Sequence, residues 1–185
     1  RKLFKVCELT RHKERNRLIV AFSFFCGLRA IEIANLQVRN VLSPTNDILD
    51  LIILDKDQTK GSNRQTVFVN KALKKEIARF IAKFPNVIKE KDEFLFKTQK
   101  GNFQSQTIQN LFKSLYKLAH IEQASSHSGR RTYITKLAEN GVAVPIIQKC
   151  ARHANLATTS RYISVSEDKI FNAVNTINVW ISTNN

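Results

Sequence analysis

Apolar positions recur along this chain with two different periods, and the alternation between them sets its architecture. From Arg11 to Cys26, RHKERNRLIVAFSFFC, a charged start gives way to Leu18, Ala21, Phe22 and Phe25 at helical spacing. Gly27 stands where a C-cap would end that helix. A short second helix follows from about Arg29 through Ile31, Ile33, Ala34 and Leu36, so Leu28 and Arg29 lie where two helices meet. Ser43 to Asp47, SPTND, is a loop. The run ILDLIIL, Ile48 to Leu54, is rich in β-formers and predicts a strand. The polar segment Asp55 to Arg64 predicts a turn, and Gln65 to Val69 a second strand, giving a hairpin with Lys60 near its tip.

Helical spacing then resumes. Asn70 caps a helix from Lys71 to Phe84, which Pro85 ends. Glu93 to Phe96 adds a short strand, and Gln104 to His120 is helical, with Ile108, Leu111, Phe112, Leu115 and Leu118 inward. Ser126 or Ser128 caps the next helix, which stops at Glu139-Asn140-Gly141. Val144 to Ala151 is a further helix, with Pro145 in its first turn. A short helix lies around Thr158 to Ile163. A last one, Ser166 to Ile181, carries Glu167 and Asp168 in its first turn and Ile170, Phe171, Val174, Ile177 and Trp180 at helical spacing. The class is α+β, mostly helical, with a small antiparallel β-sheet. No repeat or internal boundary divides the chain, so residues 1–185 are expected to form one domain with a tail from about 166 to 185.

Composition adds a partner to this outline. At 185 residues and 43% apolar the chain can bury a core, but 30 Lys+Arg against 15 Asp+Glu leave a formal charge of +15. Such an excess draws polyanions, and on DNA it displaces condensed counterions. Cys7, Cys26 and Cys150 are odd in number and widely spaced, which fits buried thiols in a reducing cytoplasm better than disulfides or a metal site. No apolar run approaches the roughly 20 residues a membrane span needs, and no signal-peptide pattern opens the chain, so no membrane partner is expected. Arg1 opens a chain without Met, which reads as a piece of a longer protein.

The chemistry concentrates between Ser126 and Tyr162, where His127, Arg130, His153 and Tyr162 fall within forty residues, with Arg131, Arg152 and Arg161 among them. His127 and Arg130, three apart in a first helical turn, share a face where backbone N–H groups favour an anion. A guanidinium matches phosphate oxygens with two parallel bonds. By itself that pair serves equally as an N-terminal histidine and a solvated arginine. A tyrosine hydroxyl ionises near pH ~10 unaided, so a nucleophilic tyrosine needs surrounding cations. A lone Tyr162 would more often be a half-buried core aromatic. Lys60, with Lys56 and Arg64 in the same turn, is either a solvated charge run or a lysine reaching into a DNA groove to protonate a leaving alkoxide.

Taken in order, GLRAIEIANL, then TKG before a short strand, then HSGRRTYITKLAENG, then RHANLATTSRY, the chain resembles the catalytic domain of the tyrosine recombinases, the phage integrase family, from about Arg11 to Val165. The resemblance implies that fold, with Arg29, Arg130 and His153 binding a scissile phosphate. It implies His127 accepting a proton, Lys60 (or Lys56) as general acid and Tyr162 as nucleophile, with Glu32 in support. Arg131, Arg152, Arg161, Lys56 and Arg64 are expected on DNA. The implied reaction cuts and rejoins DNA through a 3′-phosphotyrosyl link, with no metal or other cofactor. The implied partner is double-stranded DNA carrying a specific site, bound by a homotetramer that is monomeric in isolation. An N-terminal DNA-clamping domain common in the family is expected to lie outside this stretch of chain. Where the family commonly has Leu-Gly-His, this chain has Ala151-Arg152-His153, and Gly129 replaces a usual Leu. Two other readings are a type IB topoisomerase and a DNA-binding module that no longer cleaves.

Overall fold

A computed structural model describes residues 1–59, 64–98, 101–163 and 167–176. Helix α1 (Lys2–Glu8) leads into α2 (Lys13–Cys26), and Gly27, at φ 65, ends α2 in the left-handed conformation that its missing Cβ allows. Two short helices follow, α3 (Ala30–Ala34) and α4 (Val38–Val41). Strands β1 (Leu51–Leu54) and β2 (Gln65–Phe68) pair antiparallel, Leu51 opposite Phe68 and Leu54 opposite Gln65. Helix α5 (Lys71–Lys83) starts where Asn70 accepts a 2.8 Å hydrogen bond from the Leu73 amide. A second small ladder joins β3 (Lys97–Thr98) to β4 (Gly101–Asn102). Then come α6 (Ser105–Leu118), α7 (Ser128–Glu139), α8 (Val144–Ala151), α9 (Leu156–Ser160) and α10 (Glu167–Asn175).

α2 is central. Helices α1, α5 and α7 all pack on it, which is why LIVAF in its middle is buried on every side. Around it a large core takes in α1 to α6, with Phe96 making edge contacts to Phe22, Phe80 and Phe103 at centroid distances of 6.1, 5.9 and 6.4 Å. Each such pair adds about 0.5–1.5 kcal/mol beyond its buried area. A second, smaller core consists of Ile134, Ile147 and Ala151, covered by Tyr133, Leu137 and Tyr162. It belongs to α7 and α8. The candidate site lies along the seam between the two cores.

Several elements differ from the sequence expectation. α1 was not expected; it forms because Leu3, Val6 and Cys7 turn inward at helical spacing. The first strand begins at Leu51, with Ile48 reduced to a bridge to Leu42. Glu93 to Phe96 is no strand: Phe94 bridges to Gln37, and the ladder starts one residue later, at Lys97. His127 is the N-cap of α7, while the Ser128 hydroxyl accepts from the Ser125 amide. The short helix expected around Thr158 to Ile163 ends at Ser160. Cys7 and Cys26 are buried thiols, each pushed up to about 12 first by burial, but Cys150 is only partly covered. Among the described residues no helix is long and apolar enough to cross a membrane. Ile177 and Trp180 of the expected last helix lie outside the described residues; Ile170, Phe171 and Val174 on α10 are exposed.

Candidate active site

The seam is closed by helix ends rather than helix faces. The C-terminus of α2 presents the Gly27 carbonyl. The N-cap of α3 is Arg29, and the C-cap of α8 is Arg152, followed by His153. Arg130, in the first turn of α7 and only 6% exposed, spans the gap. Its Nη1 donates to the Gly27 carbonyl at 2.6 Å and its Nη2 to the Ala151 carbonyl. One guanidinium thus satisfies the last carbonyls of two helices, one from each core. The close approach that makes this possible depends on two glycines. A Cβ on Gly27 would sit 2.7 Å from Tyr133 Cδ1, and one on Gly129 would collide with Ser23 Oγ and lie 2.8 Å from Phe24 Cδ2. That contact explains Gly129 where leucine was expected: α7 lies directly against α2 there.

Glu32 is fully buried beneath this gap. It accepts 2.8 Å from the Arg29 amide and 2.7 Å from Arg29 Nη1, while Arg152 Nη2 donates to its other face at 2.6 Å. Burial by itself would raise this carboxyl; Arg152, the Arg29 amide and the Arg29 guanidinium outweigh it and hold the pKa below the ordinary range. Among the described residues the neighbourhood therefore contains three guanidiniums and one carboxylate, an excess of positive charge. Burial, then Arg29 and Arg152, lowers Arg130 to about 9, with Glu32 and Tyr162 acting in the opposite sense; it stays protonated at neutral pH. His153 is lowered to about 4 by burial first and then by Arg130, Arg29 and Arg152. Its ring is neutral at pH ~7 and lies within the field of all three arginines.

His153 is oriented by Thr159, a fully buried hydroxyl 2.9 Å from Nδ1. When that hydroxyl donates to Nδ1, the neutral ring carries its proton on Nε2 and offers it to an anion. Tyr162 stacks on the same ring, centroids 6.0 Å apart and planes 25° off parallel. It is the available tyrosine of the three in the chain. Tyr116 is 4% exposed and pushed up by burial, and Tyr133 is raised by burial and packed under Gly27.

The structure thus brings Arg29, Glu32, Arg130, His153 and Tyr162 to one seam. His127 is exposed at the start of α7, and among the described residues no hydrogen bond joins its imidazole to the arginines. Lys60 lies outside the described residues. The turn leading to it is anchored, because buried Gln58 donates 2.7 Å to the Asn35 carbonyl and 2.9 Å to Asn40 Oδ1. Lys56, Arg131 and Arg161 are exposed, and Arg64 is exposed beside Asp55 at 3.6 Å. Arg152, expected on DNA, lies inside the seam. Its side chain is 4% exposed, because the left-handed turn at φ 55 directs it inward, onto Glu32 and onto Gln65 Oε1 of β2 at 3.0 Å. Thr159 and Gln65 were not singled out from the sequence for these roles. The only signal was for Thr159, in the hydroxyl run between His153 and Tyr162.

Comparison with known proteins decides the lineage. The profile described as "Phage integrase family" matches residues 1–169. The chain belongs to the phage integrase family. Relatives in this family include the tyrosine recombinase XerC of Caldanaerobacter subterraneus, 29% identical over 167 residues that cover 88% of this chain and 45% of the relative. The fold is shared with the crystal structure of XerA recombinase, at TM-score 0.74 and 21% identity, covering 95% of this chain and 61% of that one. It is also shared with XerH recombinase bound to difH substrate in a pre-cleavage complex, at TM-score 0.71 and 19% identity, covering 94% and 50%. The chain spans about half the length of the curated relatives it matches.

Proposed function

We propose that this phage integrase domain is the catalytic part of a site-specific DNA recombinase that works through a phosphotyrosyl intermediate. The observation that carries the reading is the meeting of Arg29, Arg130 and His153 over Glu32, with the Tyr162 ring stacked on His153. A phosphodiester placed there would take two charge-assisted contacts from Arg29 and Arg130 and one from His153 Nε2–H. Those donors face the oxygens that gain charge as phosphorus becomes five-coordinate. The Tyr162 oxygen attacks phosphorus, forming one P–O bond as the bond to the 5′ oxygen breaks. Tyr162 gives its proton to His127, and the 5′ oxygen takes one from Lys60, or from Lys56 in its place. The 3′-phosphotyrosyl ester keeps the phosphodiester energy, so attack by a partner strand's 5′-hydroxyl restores a DNA backbone and frees the tyrosine.

The partner in this reading is double-stranded DNA at a specific site. The exposed Arg131, Arg161, Lys56 and Arg64 lie along its backbone, and four protomers assemble on two synapsed sites from a chain that is monomeric alone. The net charge of +15 supports a polyanionic partner, and the related XerH was captured on its difH substrate. The reading places the protein in the cytoplasm with its DNA.

A nicked suicide substrate tests the reading, because cleavage there releases the short 5′ strand and traps the adduct. The wild-type full-length protein should accumulate covalent protein–DNA adduct, and Tyr162→Phe should accumulate none. Absence of an adduct from wild type would leave a DNA-binding module. Relaxation of supercoiled plasmid without exchange between two sites would leave a type IB topoisomerase.

A further inference from the structure

Arg152 occupies an unusual place for an arginine. At φ 55 and ψ 44 it adopts a left-handed backbone that L side chains other than Asn and Asp rarely take. Strain of this kind persists where surrounding contacts over-determine it, and here they are many. From the C-cap of α8 the guanidinium reaches three other elements: Glu32 of α3 at 2.6 Å, Gln65 of β2 at 3.0 Å, and the Cys26 and Gly27 carbonyls ending α2 at 3.5 and 3.4 Å. With 4% of its side chain exposed, it offers almost no surface to DNA.

Its chemical consequence follows from counting charges around Glu32. That carboxylate is fully buried and touches two guanidiniums, Arg29 on one oxygen and Arg152 on the other. A buried carboxylate needs a full countercharge. If Arg29 were the sole cation on Glu32, its charge would be largely neutralised by the carboxylate and unavailable to a phosphate. We propose that Arg152 is a positioning residue for strand cleavage: as the dedicated counter-ion of Glu32, it leaves the charge of Arg29 free for the scissile phosphate. It also ties β2, through Gln65, to the seam. Arg29, at 26% side-chain exposure, is the member of the triad that faces outward; Arg152 is the one that stays below.

The proposal rests on the strand-transfer reading above, and its test separates the two. The full-length wild-type protein and Tyr162→Phe are run first on the suicide substrate; no adduct from wild type overturns the function reading itself. With that adduct in hand, Arg152→Gly removes the guanidinium while relaxing the left-handed backbone. The melting temperature should fall, because the stranded Glu32 carboxylate costs more than the relaxed backbone returns; well below that transition, single-turnover adduct formation at saturating DNA should fall by about tenfold or more, with little change in DNA affinity. The double variant Glu32→Gln with Arg152→Gly removes the stranded carboxylate together with its counter-ion, and should recover most of the lost rate. All variants are assayed well below their melting transitions, where folding does not limit the rate and the recovery reports the charge left on Arg29. Arg152→Gly cleaving within about twofold of wild type, or a double variant no faster than the single one, overturns the proposal. Should Arg152→Gly melt below the assay temperature, Arg152→Lys decides: retention of the charge should keep cleavage within about tenfold of wild type, and a larger loss at unchanged melting temperature overturns it.

Discussion

His153 shows how the neighbourhood of one side chain sets its chemistry. The ring is neutral because burial and three arginines make a further positive charge unfavourable, so towards an anion it would offer a hydrogen bond and not a positive charge. The same shift has a stability signature. In the unfolded chain a histidine takes up a proton near pH ~6.5, whereas the folded ring resists it until about 4. The unfolded state thus binds the extra proton first, and stability is lost as pH falls through that window, with no effect above it. His153→Gln should therefore narrow the gap between melting temperatures measured at about pH 7.5 and about pH 4.5. An unchanged gap would show that His153 does not report this field. Glu32 supplies a second residue-scale test. Glu32→Ala leaves the buried Arg152 guanidinium without its carboxylate and should cost about 3–5 kcal/mol in denaturant unfolding.

Among the elements, the α2–α7 seam decides whether the site exists at all. Arg130 reaches the Gly27 carbonyl only because Gly129 lets α7 rest on Ser23 and Phe24. Gly129→Ala should wedge the helices apart, costing about 1–3 kcal/mol of stability and lowering cleavage with it. Stability equal to wild type would mean that α2 yields at that contact. The helices themselves were legible from apolar spacing, and the Gly27 cap, the Asn70 cap and Pro145 gave three ends correctly. α1 was missed because seven residues hold only two turns of pattern, too few to stand out. An additional short strand was read at Glu93 to Phe96 because its apolar run looks extended, but Leu95 and Phe96 fill the core there, Phe96 against Phe22. Within the site, motif order located Arg29, Arg130, His153 and Tyr162. It gave no warning that Arg152 would turn inward, since a left-handed backbone at a non-glycine residue leaves no mark in sequence. The buried hydroxyl of Thr159 was equally hidden, because one residue in a run of three exposed or buried hydroxyls cannot be chosen by spacing.

For the whole molecule, two cores of unequal size meet at a line of positive charge. The larger supplies Arg29, Glu32 and the Gly27 carbonyl, and the smaller supplies Arg130, Arg152 and His153, with Tyr162 packed on its flank. Anything that loosens one core against the other should therefore disperse these side chains before it unfolds either. The net charge of +15 acts over longer range. If six or more phosphates are contacted, affinity for duplex DNA should drop about a thousandfold between about 50 and 200 mM salt, read by fluorescence anisotropy. A flat salt dependence would argue against a backbone-tracking surface.

The central claim is that one tyrosine attacks one phosphorus held by these donors, and the adduct itself can be read for it. The trapped covalent complex from the full-length protein, digested with trypsin and nuclease, should give a single nucleotide-bearing peptide, with the phosphate on Tyr162. Attachment at Tyr133, Tyr116 or a serine would contradict the account.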